Sequence, residues 1–223
     1  MMVGLFKERD EPLLKRDDQH FHIKPLKPSF IQQILTDQGT FSANRMLDWW
    51  CLSGGIPKYL EWLSNAPTDM PPLEYAVSPS SPFLREGAHR LIEDFGAESA
   101  PYFDILAAIA QGKTARAEIY NHVNRGIDVH LDRLQSHFEI IKKRNPISSK
   151  PNARDGRFFI EDPFLCFWFR FIHANASAIE MENFDYIRAH IERDYWAFSG
   201  RQLEGLFKEI LVESKQFGEI GGY

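Results

Sequence analysis

The chain has 223 residues, 43% hydrophobic and 26% charged, with 31 acidic against 26 basic side chains and a formal net charge of −5. That length suits one large domain or two small ones, and the composition is that of an ordinary soluble protein. The negative balance excludes a global pull toward nucleic acid or anionic membrane, so any basic surface has to be local. Cys51 and Cys166 lie far apart in apolar helical contexts, which points to buried thiols in a reducing compartment. No apolar stretch approaches a membrane span, no secretory pattern opens the chain, and no repeat occurs, so a cytoplasmic globular protein is expected.

Residues 1–20 are charged and irregular. Phe21–Leu26 alternates apolar and polar side chains and predicts a strand, ended by Pro25 and Pro28. Phe30, Ile31, Ile34 and Leu35 then mark a short amphipathic helix. Asn44 is a candidate cap for the helix of Met46, Leu47, Trp49 and Trp50, which stops at Gly54-Gly55. Paired glycines suit a left-handed helix end, and Pro57 suits the first turn of the next helix. The run Ser53-Gly54-Gly55-Ile56-Pro57 therefore predicts a rigid elbow that projects backbone amides and Ile56 to one side. The following helix, with Tyr59, Leu60, Trp62 and Leu63, ends before Pro67. The proline- and serine-rich stretch 65–82 reads as the best internal linker.

Phe83–Phe95 is helical, with Gly96 as its stop. Helices over Tyr102–Ala110, Thr114–Val123 and Val129–Phe138 follow, the third after a turn at Asn124-Arg125-Gly126. Two β-like runs, 139–143 and 157–160, flank a segment with Asn145-Pro146 and Asp155-Gly156. Three helices and a hairpin match the winged helix-turn-helix plan. The helix opened by Pro163 is apolar nearly all round, which predicts burial on most sides. Helices over Tyr186–Phe198 and from Gly200 to about Gln216 close the chain. The fold class expected is mainly α with a short β-hairpin.

The phosphate-loop pattern G-x-x-x-x-G-K-[ST], the dinucleotide pattern G-x-G-x-x-G and the G-x-S-x-G elbow are all missing. His20 with His22, and His130 with His137, lack a Cys or carboxylate at ligand spacing and read as exposed or packing histidines. Segment 142–157 carries Lys142, Lys143, Arg144, Lys150, Arg154 and Arg157 against the single Asp155. On a hairpin these cations would sit along a DNA backbone and gain affinity by counterion release. A solvated hairpin in a protein–protein module is the rival reading. The preceding helix, with Asp128, Asp132 and Glu139 against Arg133, is poorly equipped for base readout. Glu213-Ser214-Lys215 fits the E-x-K string of metal-dependent nucleases, but on a helix residues two apart point to different sides. Glu204 is a better candidate metal-site carboxylate, although one carboxylate is no two-metal site.

Several strings together resemble one family. They are Met1-Met2-Val3-Gly4-Leu5-Phe6 with Glu11-Pro12-Leu13-Leu14-Lys15-Arg16, the elbow 53–60, Ser81-Pro82-Phe83-Leu84-Arg85-Glu86-Gly87, and the run 157–171 from Arg157-Phe158-Phe159-Ile160 to Arg170-Phe171. This is similar to the archaeal-type P-loop ATPases of the AAA+/STAND-like group, also called DEXX-box ATPases. The resemblance implies a nucleotide-binding core, a helical lid, a winged helix and a restriction-endonuclease-like domain. On that plan 1–27 is the tail of the ATPase core, 28–66 the helical lid, 82–175 the winged helix, and 184–223 the start of the nuclease-like domain.

In that family the phosphate loop and acidic Mg-binding strand precede the position of Met1, and the nuclease metal ligands follow Tyr223. The chain is thus expected to be an interior fragment. No residue of it is catalytic, and it holds no cofactor itself, while ATP and Mg belong to the intact protein. Phosphoryl transfer is almost wholly positioning and electrostatics, so a polypeptide without cradle and Mg ligands should not hydrolyse ATP. The resemblance implies nucleotide sensing by Arg16, Gly55 and Pro57, and matches Glu204 to the first nuclease-domain glutamate. Lys15 departs from the usual glycine.

The expected function is that of a lid and winged-helix segment coupling nucleotide state to DNA or partner binding. Lys142, Lys143, Arg144, Lys150 and Arg154 are the DNA-backbone candidates. Double-stranded DNA and a homo-oligomeric partner remain open, and a membrane is not expected. The alternatives are an autonomous winged-helix DNA-binding module and a protein–protein adaptor with an aromatic face around Trp49, Trp50 and Trp168.

Overall fold

A computed structural model describes residues 24–86, 91, 95–96, 99–145 and 156–217. Residues 21–23 of the expected strand over Phe21–Leu26 lie outside them, and the described remainder is no strand: Lys24–Lys27 is without regular secondary structure. Pro28 opens α1 (Pro28–Asp37), which buries the i, i+4 pair Ile31 and Leu35. Ser42, not Asn44, caps α2 (Ala43–Ser53), its Oγ accepting from the Arg45 amide at 3.1 Å. Ser42 is the residue still in extended conformation, as a cap must be, whereas Asn44 already lies within the helix.

Helix α2 is the hub. It packs against α1, α3 (Pro57–Ser64), α4 (Pro72–Ala76), α9 (Pro163–Phe167) and α11 (Phe184–Ser214). Trp49, Cys51 and Leu52 are almost fully buried there. The expected linker 65–82 belongs to this core. Its prolines open α4 and α5 (Pro82–Glu86), and Ala76, Val77, Ser81 and Phe83 are all at 0% exposure. Apolar side chains placed between helix-initiating prolines bury the segment instead of releasing it. Phe83 joins Tyr59, Trp62 and Phe164 in one aromatic cluster, with the Tyr59 and Phe164 ring centroids 4.4 Å apart.

A second group of elements comprises α6 (Ser99–Ala110), α7 (Arg116–Val123), α8 (Asp128–Ser136), β1 (Ile141–Arg144) and β2 (Arg157–Ile160). The strands pair antiparallel, Ile141 opposite Ile160 and Lys143 opposite Phe158. Residues directly opposite share a face, so Ile141, Phe158 and Ile160 turn inward while Lys142, Arg144 and Phe159 lie on the outer face. Thr114 and Ala115 also lie along β2: the Phe158 amide donates to the Thr114 carbonyl at 2.8 Å. Phe138 has left α8 and packs on Phe95 and Tyr102.

After the hairpin the chain is helical in unequal turns: α9, a π turn at Trp168–Ile172, a 3-10 turn at His173–Asn175, and α10 (Ala176–Glu180). Phe164, Phe167, Phe169 and Phe171 are completely buried, as the all-round apolar pattern predicts. The last element is one 31-residue helix, α11, where two were expected. Gly200 does not break it, because a single glycine costs only about 1 kcal/mol in a helix interior, and Phe198, Ser199 and Leu206 are buried on either side. The architecture is mainly helical with one small antiparallel sheet among the described residues.

Candidate functional site: the glycine elbow and the basic hairpin

Gly54 ends α2 with φ +54° and Gly55 continues at φ +82°, both left-handed, where a Cβ is strained. Close approach makes the same demand twice over. A Cβ on Gly54 would lie 2.5 Å from Pro163 Cδ, and one on Gly55 would collide with the carbonyl oxygen of Leu26. Leu26 is bonded there, its amide donating to the Gly55 carbonyl at 2.7 Å. Ser53, wholly buried, ties the turn internally: its hydroxyl donates to the Trp49 carbonyl at 2.6 Å and accepts from the Gly55 amide at 3.2 Å.

The elbow therefore differs from the expectation in one respect. The amides of Gly54, Gly55 and Ile56 do not project toward a ligand; they are bonded to Trp50, Ser53 Oγ and the Ser53 carbonyl. Ser53 supplies two of these acceptors, which its sequence position alone does not reveal. Gly55 is buried and Pro57 exposed at the start of α3. Arg16 lies outside the described residues.

The hairpin divides its cations. Lys142 and Lys143 are both exposed but on opposite faces of β1. Arg144 is engaged: its guanidinium bonds Glu161 at 2.8 Å and lies 5.1 Å from the Phe159 ring centroid. Arg157 bonds Thr114 Oγ1 at 3.0 Å and approaches Glu118 at 4.0 Å. Lys150 and Arg154 lie outside the described residues. Lys143 rims a cleft of about 360 Å³ with Arg116, Gly156 and Phe158. Arg116 is held in a bidentate pair with Asp128, at 2.7 and 2.6 Å, across the α7–α8 turn. That pairing draws the Asp128 carboxyl below its usual range. The exposed residues of α8 are Asp128, already paired with Arg116, Val129, Asp132, Arg133, Gln135 and Ser136.

Asp162, between the hairpin and α9, caps α9 by accepting from the Phe164 and Leu165 amides at 2.8 and 3.3 Å. Burial pushes its carboxyl up to about 7, against the downward pull of those two donors. A capping Asp one residue before Pro163 is a helix-start signal that the sequence reading passed over. His190 is held between Asn175 and Asp194, and Asp194 is kept down at about 2, chiefly by its bond with Arg193. The i, i+4 spacing of His190 and Asp194 on one helix is a signal for their pairing, whereas the contact with Asn175 has none in the sequence.

Other candidate residues are accounted for structurally. Glu213 bonds the Ser29 hydroxyl and amide at the start of α1, so the E-x-K carboxylate serves a helix terminus. Glu204 is exposed on α11. His130 packs on Tyr102 and His137 on Phe138, and His20 and His22 lie outside the described residues. Trp49, Trp50 and Trp168 are 1%, 7% and 5% exposed, which removes them as an open docking face. Among the described residues no three His, Cys, Asp or Glu side chains gather as a metal site. No described helix is long and apolar enough to cross a membrane.

Residues 168–222 match the family DUF234, described as archaeal and bacterial proteins of unknown function. The chain is also similar to the uncharacterized protein MJECL04 of Methanocaldococcus jannaschii, at 29% identity over 212 residues. That alignment takes in 94% of this chain and 46% of the relative, so the chain spans about half the length of the curated protein it matches. No solved structure matches.

Proposed function

We propose that this chain is the lid and winged-helix portion of an ATP-binding, AAA+/STAND-like P-loop ATPase, relaying nucleotide state to duplex DNA or a protein partner without being catalytic itself. In this reading 28–66 is the lid, α6 to α8 with the hairpin form a winged helix within 82–175, and 184–223 begins a nuclease-like domain. The observation that carries it is the seating of Gly54 against Pro163. Gly54 belongs to the elbow, and Pro163 follows β2 by three residues, so a shift of the elbow is felt at the base of the hairpin. Packed cores respond to such shifts in discrete steps, as hinge-type switches require. Gly55 and Pro57, with Arg16, would meet the nucleotide in the intact protein, where other segments hold ATP and Mg. Lys142 and Lys143 supply cations for a phosphate backbone, joined by Arg144, Lys150 and Arg154. Around α8 the acids Asp128, Asp132 and Glu139 outnumber Arg133, which favours backbone contact over base reading.

The test is a fluorescence titration with duplex DNA at several salt concentrations, beside an ATP turnover assay on the same chain. The reading expects salt-sensitive binding, little affected by sequence, and no turnover. Turnover at an enzyme-like rate would contradict it.

A further inference from the structure

The last turn of α6 leaves carbonyls that need donors from beyond the helix. The chain that follows supplies three. The Gln111 amide donates to Ala107 at 3.0 Å, Gly112 to Ile109 at 2.9 Å and Lys113 to Ala108 at 3.0 Å. The carbonyl of Ala110 accepts instead from Arg170 Nη1 at 3.2 Å, a side chain of the π turn. Arg170 is bonded to no other acceptor among the described residues, and its Nε is buried without a partner. Arg201, on α11, closes on the same turn. A Cβ on Gly112 would lie 3.1 and 3.3 Å from its two terminal nitrogens, so the glycine, at φ +96°, is what admits the guanidinium. Burial, and then the charge of Arg201, draws the Arg170 guanidinium below its ordinary value, with Asp194 opposing. Two like charges find compensation at this place, because a helix C-terminus carries partial negative charge.

The chain leaving this turn runs directly along the hairpin. The Thr114 carbonyl accepts from the Phe158 amide at 2.8 Å, Thr114 Oγ1 from Arg157 at 3.0 Å, and Ala115 is bridged to Arg157. We infer that Arg170 and Arg201 form a clamp through which the C-terminal segment sets the position of the basic hairpin. Both belong to the stretch 168–222 that matches DUF234. The clamp is made of cations on a helix end, with Arg201 exposed and Arg170 half-buried, whereas Ile105, Leu106 and Ile109 keep α6 in the core. It can therefore open without unpacking α6, as a local, low-stability step. The hairpin thus has an input separate from the elbow, and this holds whether or not the chain relays a nucleotide state.

Hydrogen exchange on the whole chain tests the clamp through Arg201→Gln, an exposed position where the fold is retained. Exchange should quicken about two- to fivefold over 112–118 and 157–160, the range set by losing one cation at a helix end, with α2 and α10 unchanged. Arg201→Lys keeps a cation there and should stay near the parent chain. Arg170→Met should quicken the same two stretches, and the double variant should fall short of the two effects combined, since both side chains act on one turn. Quickening confined to α11 overturns the inference. So does an unchanged rate at 157–160, or a lysine variant no better than the glutamine one.

Discussion

Tyr195 on α11 donates its hydroxyl hydrogen to Asp48 Oδ1 on α2 at 2.6 Å, joining residues 147 positions apart. The bond lies where α11 crosses the hub helix. Burial raises the Asp48 carboxyl from its ordinary value, while Tyr195 and Arg45 pull it back. An acceptor so placed depends on its donor. Tyr195→Phe should therefore destabilise the chain by about 1–3 kcal/mol, the cost of stranding a partly buried carboxylate. Urea unfolding measures it. In a double-mutant cycle with Asp48→Asn the two losses should not add, because one interaction is counted in both.

The elbow glycines give a graded prediction. Gly55→Ala meets both left-handed strain and the Leu26 carbonyl, and should cost more than the ~1–2 kcal/mol of αL strain alone. Gly39, at φ +67° with nothing near its Cβ position, is the control, and Gly39→Ala should cost the strain and no more. Thermal unfolding of the two variants separates steric demand from conformational demand. Equal losses would mean that the Leu26 contact is soft.

Asp162 makes stability depend on pH. Its folded value, about 7, is raised above the ordinary 3.8. Its contribution is therefore fully present below about 3.8 and is lost as pH rises through about 7. Asp194 runs the other way. Held at about 2, it contributes above 3.8, and that contribution is lost as pH falls toward 2. Asp162→Asn should flatten the neutral limb of the stability curve and Asp194→Asn the acid limb. The first variant keeps an oxygen for the α9 cap, so loss of capping does not confuse the result.

How far these features could be read in advance depends on the range of the interaction responsible. The Gly54–Pro57 elbow and the pairing of 157–160 with the segment after α8 are set by neighbours in sequence, and they were legible. The cap at Ser42 was missed by two positions, since Asn44 and Ser42 are both competent and only the backbone conformation decides. The proline-rich stretch 65–82 was misread because prolines that start helices and prolines that break them look alike until Val77 and Phe83 find their core. Continuity through Gly200 depends on tertiary packing of Phe198 and Leu206. Ser53 as the acceptor for its own elbow, and Asp48 as the partner of Tyr195, required the fold.

On the hairpin the two exposed lysines should behave differently from the arginine beside them. Neutralising Lys142 or Lys143 to Gln should lower the salt dependence of duplex binding by about one phosphate contact each. Arg144→Gln should have a smaller effect on binding and a larger one on stability, because Glu161 and Phe159 already engage it. Anisotropy titrations over a range of salt concentrations distinguish the three.

The relay from elbow to hairpin is tested most directly by hydrogen exchange on Ser53→Ala. That variant loosens the turn without filling the space at Gly54 or Gly55. Faster exchange should appear at the elbow and also at Phe158–Leu165, with α7 and α8 unchanged. Acceleration confined to the elbow amides would contradict the account.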